Sequence, residues 1–223
     1  MTTVAVVLAA GRSRRFGGDR PKQYVDVGGR PVVAHSVAAL DQHPGVDAVW
    51  VVGAADELDR LRAATADVGD RYLAGGAERI DSVRAAVLET DDGVDRVLVH
   101  DAARPLLAPD VVDRVLAALA TADAVATVLP VTDTIVEIHD GAMRTPDRSS
   151  LFQLQTPQGF RGDVLREAYR RADGRVFTDD VSLVAELVPD AVVTTVEGDR
   201  RLHKVTTAAD LVAVRAWFEQ DQA

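Results

Sequence analysis

Val4-Ala5-Val6-Val7-Leu8-Ala9, running into Ala10-Gly11-Arg12-Ser13-Arg14-Arg15-Phe16-Gly17-Gly18-Asp19-Arg20-Pro21-Lys22, is the stretch that decides the fold. Its first part is short, apolar and rich in β-branched residues, the pattern of a strand buried on both faces. Its second part carries small residues that let backbone approach a ligand, with five cations against one acid. Glycines there can point successive N–H groups at an anion while Arg and Lys neutralise outer phosphates. The spacing is neither that of a P-loop nor of a Gly-x-Gly-x-x-Gly dinucleotide loop. A solvated arginine-rich loop after an edge strand would have the same composition, so the stretch alone leaves both readings open.

The rest of the chain alternates strand and helix patterns. Val46–Val52, Arg71–Leu73, Val97–Val99, Ala124–Leu129 and Ala191–Glu197 read as strands. Between them, Pro31, Asp56, Pro109 and Gly162 each begin a helix-period pattern, and the capping pattern Thr207 to Asp210 opens a last one. Thr178 is the expected cap of the helix that packs Leu183 and Leu187. This order predicts an α/β fold, a Rossmann-like and mostly parallel sheet with helices on both faces. Residues 131–148 interrupt it: Ile135–His139, Asp140-Gly141 and Ala142–Arg144 read as a hairpin with a two-residue turn. An isolated hairpin is marginal in water, so it must grip a second subunit or cover its own site. The expected organisation is one domain over 1–223 with 131–148 as an arm.

Composition narrows the function. The 223 residues carry a net charge of −10, which disfavours nucleic acid as a partner. A basic loop on an acidic protein instead suits a small polyanion. Cys is absent, removing disulfides and thiolate chemistry, and the five His show no paired ligand spacing. Apolar runs fall short of the roughly 20 residues of a membrane helix, and no leader pattern follows Met1, so the expectation is a cytoplasmic protein with no membrane partner. Of the 25 cationic residues only Lys22 and Lys204 are lysine. In a chain so biased toward Arg, the two survivors mark places where a compact ammonium is wanted, although chance would also leave two.

Two further motifs stand where such folds place ligands. Gly75-Gly76-Ala77-Glu78-Arg79-Ile80-Asp81-Ser82 is a glycine loop leading into a helix; a plain strand-to-helix turn would also look like this. His100-Asp101-Ala102-Ala103-Arg104-Pro105 follows a buried strand and sets Asp101 at its carboxyl end. Arg104 can pair with that carboxylate or meet a substrate phosphate.

With these pieces in hand, the chain resembles the 2-C-methyl-D-erythritol 4-phosphate cytidylyltransferase family over essentially its full length. The resemblance rests on Ala9-Ala10-Gly11 with Arg15 and Pro21-Lys22-Gln23, the Gly75–Val83 segment, and His100–Pro105. Asp133-Thr134, Asp147-Arg148, Gln155–Gln158, Thr178-Asp179 and Lys204–Thr206 follow in the family's order. Departures are Leu8 where many members have Pro, His203 where Ile is frequent, and Asp180-Val181 where Glu-Ala is common.

The resemblance implies transfer of CMP from CTP to 2-C-methyl-D-erythritol 4-phosphate with release of pyrophosphate, and Mg²⁺ or another divalent cation on the triphosphate. It assigns Arg15, Lys22, Lys204 and Asp101 to catalysis, and Ala9, Ala10, Gly11, Gly75, Gly76, Asp81, Ser82 and Ala102 to the nucleotide. Asp101, Arg104, Thr156, Thr178 and Lys204 would surround the polyol phosphate, while Thr134 and Arg148 complete the site of a partner subunit in a homodimer. Metal ligands beyond phosphate oxygens stay open, with Asp101 a candidate. Two alternatives remain: a cytidylyltransferase for ribitol 5-phosphate, or a nucleotide-binding domain without turnover.

Overall fold

A computed structural model describes residues 1–11, 16, 21–172 and 174–221. Arg15, like most of the basic loop around it, lies outside the described residues. The strands are β1 (Thr3–Leu8), β2 (Asp26–Val27), β3 (Arg30–Pro31), β4 (Ala48–Gly53), β5 (Arg71–Ala74), β6 (Arg96–Asp101) and β7 (Ala124–Pro130). They continue with β8 (Glu137–His139), β9 (Ala142–Arg144), β10 (Phe152–Arg161) and β11 (Val193–Glu197). The helices are α1 (Val32–Asp41), α2 (Leu58–Ala64), α3 (Arg79–Val87), α4 (Pro109–Ala118), α5 (Gly162–Arg171), α6 (Asp180–Leu187) and α7 (Ala208–Asp221).

Among the described residues, seven strands form one sheet in the order β11-β7-β10-β6-β1-β4-β5. All neighbours pair parallel except β10, which runs antiparallel between β6 and β7. The mostly parallel architecture expected from the alternating pattern is therefore what forms. Side chains alternate across each strand. Val4, Val6, Val97 and Val99 pack toward α3, α5 and α6, whereas Ala5, Val7 and Leu98 pack toward α1, α2 and α4. Burial on both faces explains why these strands read as unbroken apolar runs.

A third, smaller cluster of Val27, Val32, Val205, Leu211 and Val214 seats α7 against the segment after the basic loop. It ties the last helix to the start of the chain.

The arm forms as the Asp-Gly pattern requires. β8 and β9 pair with Glu137 opposite Arg144, and the turn residues Asp140 and Gly141 have φ of 49° and 80°. Both central residues of such a turn need positive φ, which an Asp-Gly pair tolerates. The hairpin leaves apolar side chains in solvent: Ile138 is 67% exposed and Met143 71%.

One local expectation is corrected. Asp179, not Thr178, caps α6: its carboxylate accepts the Ser182 N–H at 2.9 Å and the Ser182 hydroxyl at 2.6 Å. An ionised acceptor at the positive end of a helix outcompetes the hydroxyl one residue earlier.

Candidate active site at the sheet switch point

β1 and β6 are neighbours with Leu8 opposite Asp101. From this pair β4 and β5 extend one way, and β10, β7 and β11 the other. The crevice outside the carboxyl ends of strands at such a reversal is where open α/β sheets bind ligands. Here it is a pocket of about 180 Å³, walled by the ends of β1 and β6, the start of α3, Lys22 and Lys204.

The wall at α3 is set by close packing. A Cβ on Gly75 would lie 2.6 Å from Ser82 Oγ, and one on Gly76 would lie 2.2 Å from Asp81 Cβ, so only glycine lets the loop lie against the first helical turn. Glu78 and Asp81 exchange side-chain-to-backbone bonds in a capping box, with the Glu78 N–H donating to Asp81 Oδ2 at 3.2 Å. The buried Ser82 hydroxyl donates to Glu78 O at 3.2 Å. Ser82 and Gly76 thus face the pocket, while Asp81 and Gly75 hold the loop's shape.

Asp101 is the electrostatic centre. Lys204 Nζ lies 2.7 Å from its Oδ2, Arg104 Nε 3.6 Å from the same oxygen, and Arg79 Nε 3.8 Å from Oδ1. Burial would push this carboxyl up, but Lys204, then Arg79 and Arg104, outweigh it and hold Asp101 well below the usual carboxylate range. The group stays ionised. Three cations surround this one carboxylate, and Arg79 serves Asp180 as well.

The main chain that presents Asp101 is fixed from behind. Thr156 Oγ1 accepts the Asp101 N–H at 3.0 Å and lies 3.2 Å from His100 Nδ1, whose Nε2 is 3.1 Å from Arg104 O. Thr156 is 4% exposed, so its hydroxyl is engaged with protein. Burial pushes the His100 imidazole down to about 4, so it is neutral: Nε2–H donates to Arg104 O, and Nδ1 accepts from the Thr156 hydroxyl. Arg104 is itself buried, donating to Leu202 O at 2.5 Å and Leu154 O at 3.4 Å.

The two lysines that stood out in the composition both reach this crevice. Lys22 Nζ donates to Val205 O at 2.8 Å, next in the chain to Lys204, and the Val205 N–H donates to Ala103 O at 2.8 Å. Ala9, Ala10, Gly11 and Ala102 line the same pocket. Thr178 is exposed ahead of α6, and Thr134 and Arg148 are exposed on the arm; none of the three lines the pocket. Arg148 donates to Thr132 O at 2.8 Å.

Arg79 and Asp180 were missed as site residues. Arg79 lines the pocket and reaches past Asp101 to Asp180 Oδ2 at 2.6 Å, while Asp180 Oδ1 accepts the Tyr169 hydroxyl at 2.5 Å. Asp180 is 1% exposed and so is a buried anion that Arg79 must neutralise. One Arg among many gives no compositional signal, and its partner lies on a helix distant in sequence. Among the described residues no three His, Asp or Glu side chains gather as a metal-ligand group.

The family model for 2-C-methyl-D-erythritol 4-phosphate cytidylyltransferase matches residues 3–220. The chain is 44% identical over 220 residues to the 2-C-methyl-D-erythritol 4-phosphate cytidylyltransferase of Rhodococcus jostii, covering 97% of this chain and 95% of that one. It is 43% identical over 215 residues to the Bifunctional enzyme IspD/IspF of Rhodopseudomonas palustris, covering 93% of this chain and 54% of that one. The chain thus spans about half the length of such bifunctional relatives. The crystal structure of 2-C-methyl-D-erythritol 4-phosphate cytidylyltransferase from Thermus thermophilus superposes with a TM-score of 0.80 at 32% identity, covering 96% of this chain and 98% of that one. A full-length match of sequence and fold places the chain in the 2-C-methyl-D-erythritol 4-phosphate cytidylyltransferase family.

Proposed function

We propose that this chain transfers CMP from CTP to the phosphate of 2-C-methyl-D-erythritol 4-phosphate, giving 4-diphosphocytidyl-2-C-methyl-D-erythritol and pyrophosphate. The observation that carries the reading is the convergence of Lys22 and Lys204 on one pocket around an ionised Asp101. A substrate phosphate oxygen attacks the α-phosphorus of CTP in line, and the bond from that phosphorus to the β-bridging oxygen breaks. Two anions must meet, and each like-charge pair opposes this by about 4 kcal/mol at 4 Å in an effective dielectric near 20. Fixed cations offset that repulsion, so no bond to the protein is needed.

In this reading Lys22, with Arg15, holds the triphosphate and stabilises the departing pyrophosphate. Lys204 serves the attacking phosphate. Ala9, Ala10, Gly11, Gly76, Ser82 and Ala102 shape the cytidine cavity, with Gly75 and Asp81 behind them. Asp101 orients Lys204 and meets a substrate hydroxyl. Thr156 and Arg104 act through their buried bonds to the Asp101 loop, and Thr178 stands at the outer edge.

A divalent cation such as Mg²⁺ fits this donor set. Such an ion keeps most of its ligands from phosphate and water and takes one or two carboxylates, and Asp101 is an ionised carboxylate at the pocket. The ion would neutralise triphosphate charge. We read 1–223 as one nucleotidyltransferase domain with 131–148 as a dimerisation arm. The exposed Ile138 and Met143 on that arm support a homodimer in which Thr134 and Arg148 reach the partner's site. The place of action is read as the cytoplasm; no helix among the described residues is long and apolar enough to cross a membrane.

The deciding experiment follows pyrophosphate release with each nucleoside triphosphate against methylerythritol, ribitol and glycerol phosphates. Release specific to CTP and methylerythritol phosphate is expected. Preference for ribitol phosphate, or no release with any pair, would replace this reading with one of its two rivals.

A further inference from the structure

The segment that carries Lys204 belongs to no helix or strand, running from Leu202 to Thr207 between β11 and α7. A lysine has a long, mobile side chain, so its placement depends on how firmly its own backbone is held. One carboxylate makes four of the contacts that hold it. Asp210 Oδ2 accepts the Thr206 N–H at 2.8 Å, the Thr206 hydroxyl at 2.6 Å and the Thr207 N–H at 2.7 Å, while Oδ1 lies 2.8 Å from His203 Nε2.

A helix needs far less than this from a residue in its first turn. In a capping box the carboxylate returns one bond to the cap N–H, and that is the Thr207 contact, reciprocated by the Asp210 N–H donating to Thr207 Oγ1 at 3.3 Å. The other three bonds leave the helix. They seize His203 on one side of Lys204-Val205 and Thr206 on the other, so the carboxylate braces both ends of the dipeptide whose Lys204 Nζ meets Asp101 and whose Val205 O accepts Lys22 Nζ.

We propose that Asp210 is the positioning residue of the candidate site, bracing His203 and Thr206 so that Lys204 and the Val205 carbonyl stand where both lysines converge. Burial alone would raise the Asp210 carboxyl; the donors on His203, Thr206 and Thr207 hold it well below the usual carboxylate range, as a fully engaged acceptor should be. The role in turnover rests on the reading of Lys204 as the cation at the attacking phosphate. The brace itself does not.

The test separates the two. With only two lysines in the chain, reductive methylation with ¹³C-formaldehyde places NMR-visible dimethylammonium groups on Lys22, Lys204 and the Met1 amine alone, retaining their charge. Lys22→Arg and Lys204→Arg serve only to assign the signals. Asp210→Asn should shift the Lys204 signal toward that of free dimethyllysine and lower kcat/KM for the polyol phosphate by about ten- to a hundred-fold, the scale expected of an ångström-sized misplacement. Thr207→Ala removes the reciprocal cap bond but spares the brace; it should lower the melting temperature yet leave the Lys204 signal and kcat/KM near wild type. An unmoved Lys204 signal in Asp210→Asn, or equal losses in both variants, would overturn the proposal. If the unmodified chain turns over no polyol phosphate, the functional reading fails, while the Lys204 signal still judges the brace.

Discussion

Lys204 Nζ stands 2.7 Å from Asp101 Oδ2, joining a loop near the end of the chain to the strand end at the middle of the sheet. Arg79 and Arg104 flank the same carboxylate. The geometric consequence of the pair is that the ammonium is held in one place, the arrangement a preorganised charge requires.

Removing either ammonium should therefore remove catalysis without removing the fold. Lys22→Ala and Lys204→Ala are each expected to lower kcat on the order of 100-fold or more, the scale for deleting a preorganised electrostatic contact. Far-ultraviolet circular dichroism should stay native. Rates close to wild type in either variant would discard the assigned role.

Arg79 carries a double duty, and its loss should show in stability as well as rate. Arg79→Leu strands the Asp180 carboxylate, which is 1% exposed, with the Tyr169 hydroxyl as its remaining hydrogen-bond donor among the described residues. Breaking a buried ion pair by removing one partner costs about 3–5 kcal/mol. Urea unfolding checks this. A loss no larger than that of an ordinary surface substitution would show that Asp180 is satisfied without Arg79.

His100 predicts an acid limb. Its folded value of about 4 lies below the usual 6.5 of an unfolded imidazole, chiefly through burial. A depressed histidine contributes stability that is intact above pH 6.5 and is lost as pH falls from 6.5 toward 4, since the unfolded chain then binds the proton first. The loss over that window should be on the order of 3 kcal/mol. Asp101 adds to the decline only at lower pH, because its depressed carboxyl gains an unfolded-state proton near pH 4. Denaturation midpoints of wild type and His100→Gln across this range test it; parallel curves would show that His100 does not set the limb.

The arm should decide assembly. Deleting Ile135 to Arg144 is expected to give a folded monomer without turnover if the arm joins two subunits as proposed, because the exposed Ile138 and Met143 leave with it. Light scattering and pyrophosphate release together check the claim. An active monomer would show that each subunit completes its own site.

Much of the fold was legible because its signals are local. Strands buried on both faces read as apolar runs, as in Val4–Leu8 and Val97–Val99, and the Asp140-Gly141 pair announced its turn through a backbone need that few residues meet. Two lysines in an arginine-rich chain stand out by composition alone, and both line the crevice. The cap of α6 was misplaced by one residue, because neighbouring Thr178 and Asp179 both carry a capping oxygen, and in the fold it is the Asp179 carboxylate that takes the Ser182 N–H.

What the sequence determined by itself, then, is which segments become strands and helices, where the chain must turn, and which family it belongs to, since periodicity, turn chemistry and ordered motifs are carried by neighbouring residues. The tertiary structure alone decided that Lys22 meets the carbonyl beside Lys204, that Arg79 bridges Asp101 to a buried Asp180, and that Thr156 spends its hydroxyl behind the site. Those contacts join residues far apart in the chain. Charge neutralisation and hydrogen-bond satisfaction act through space, and no spacing along the chain records them.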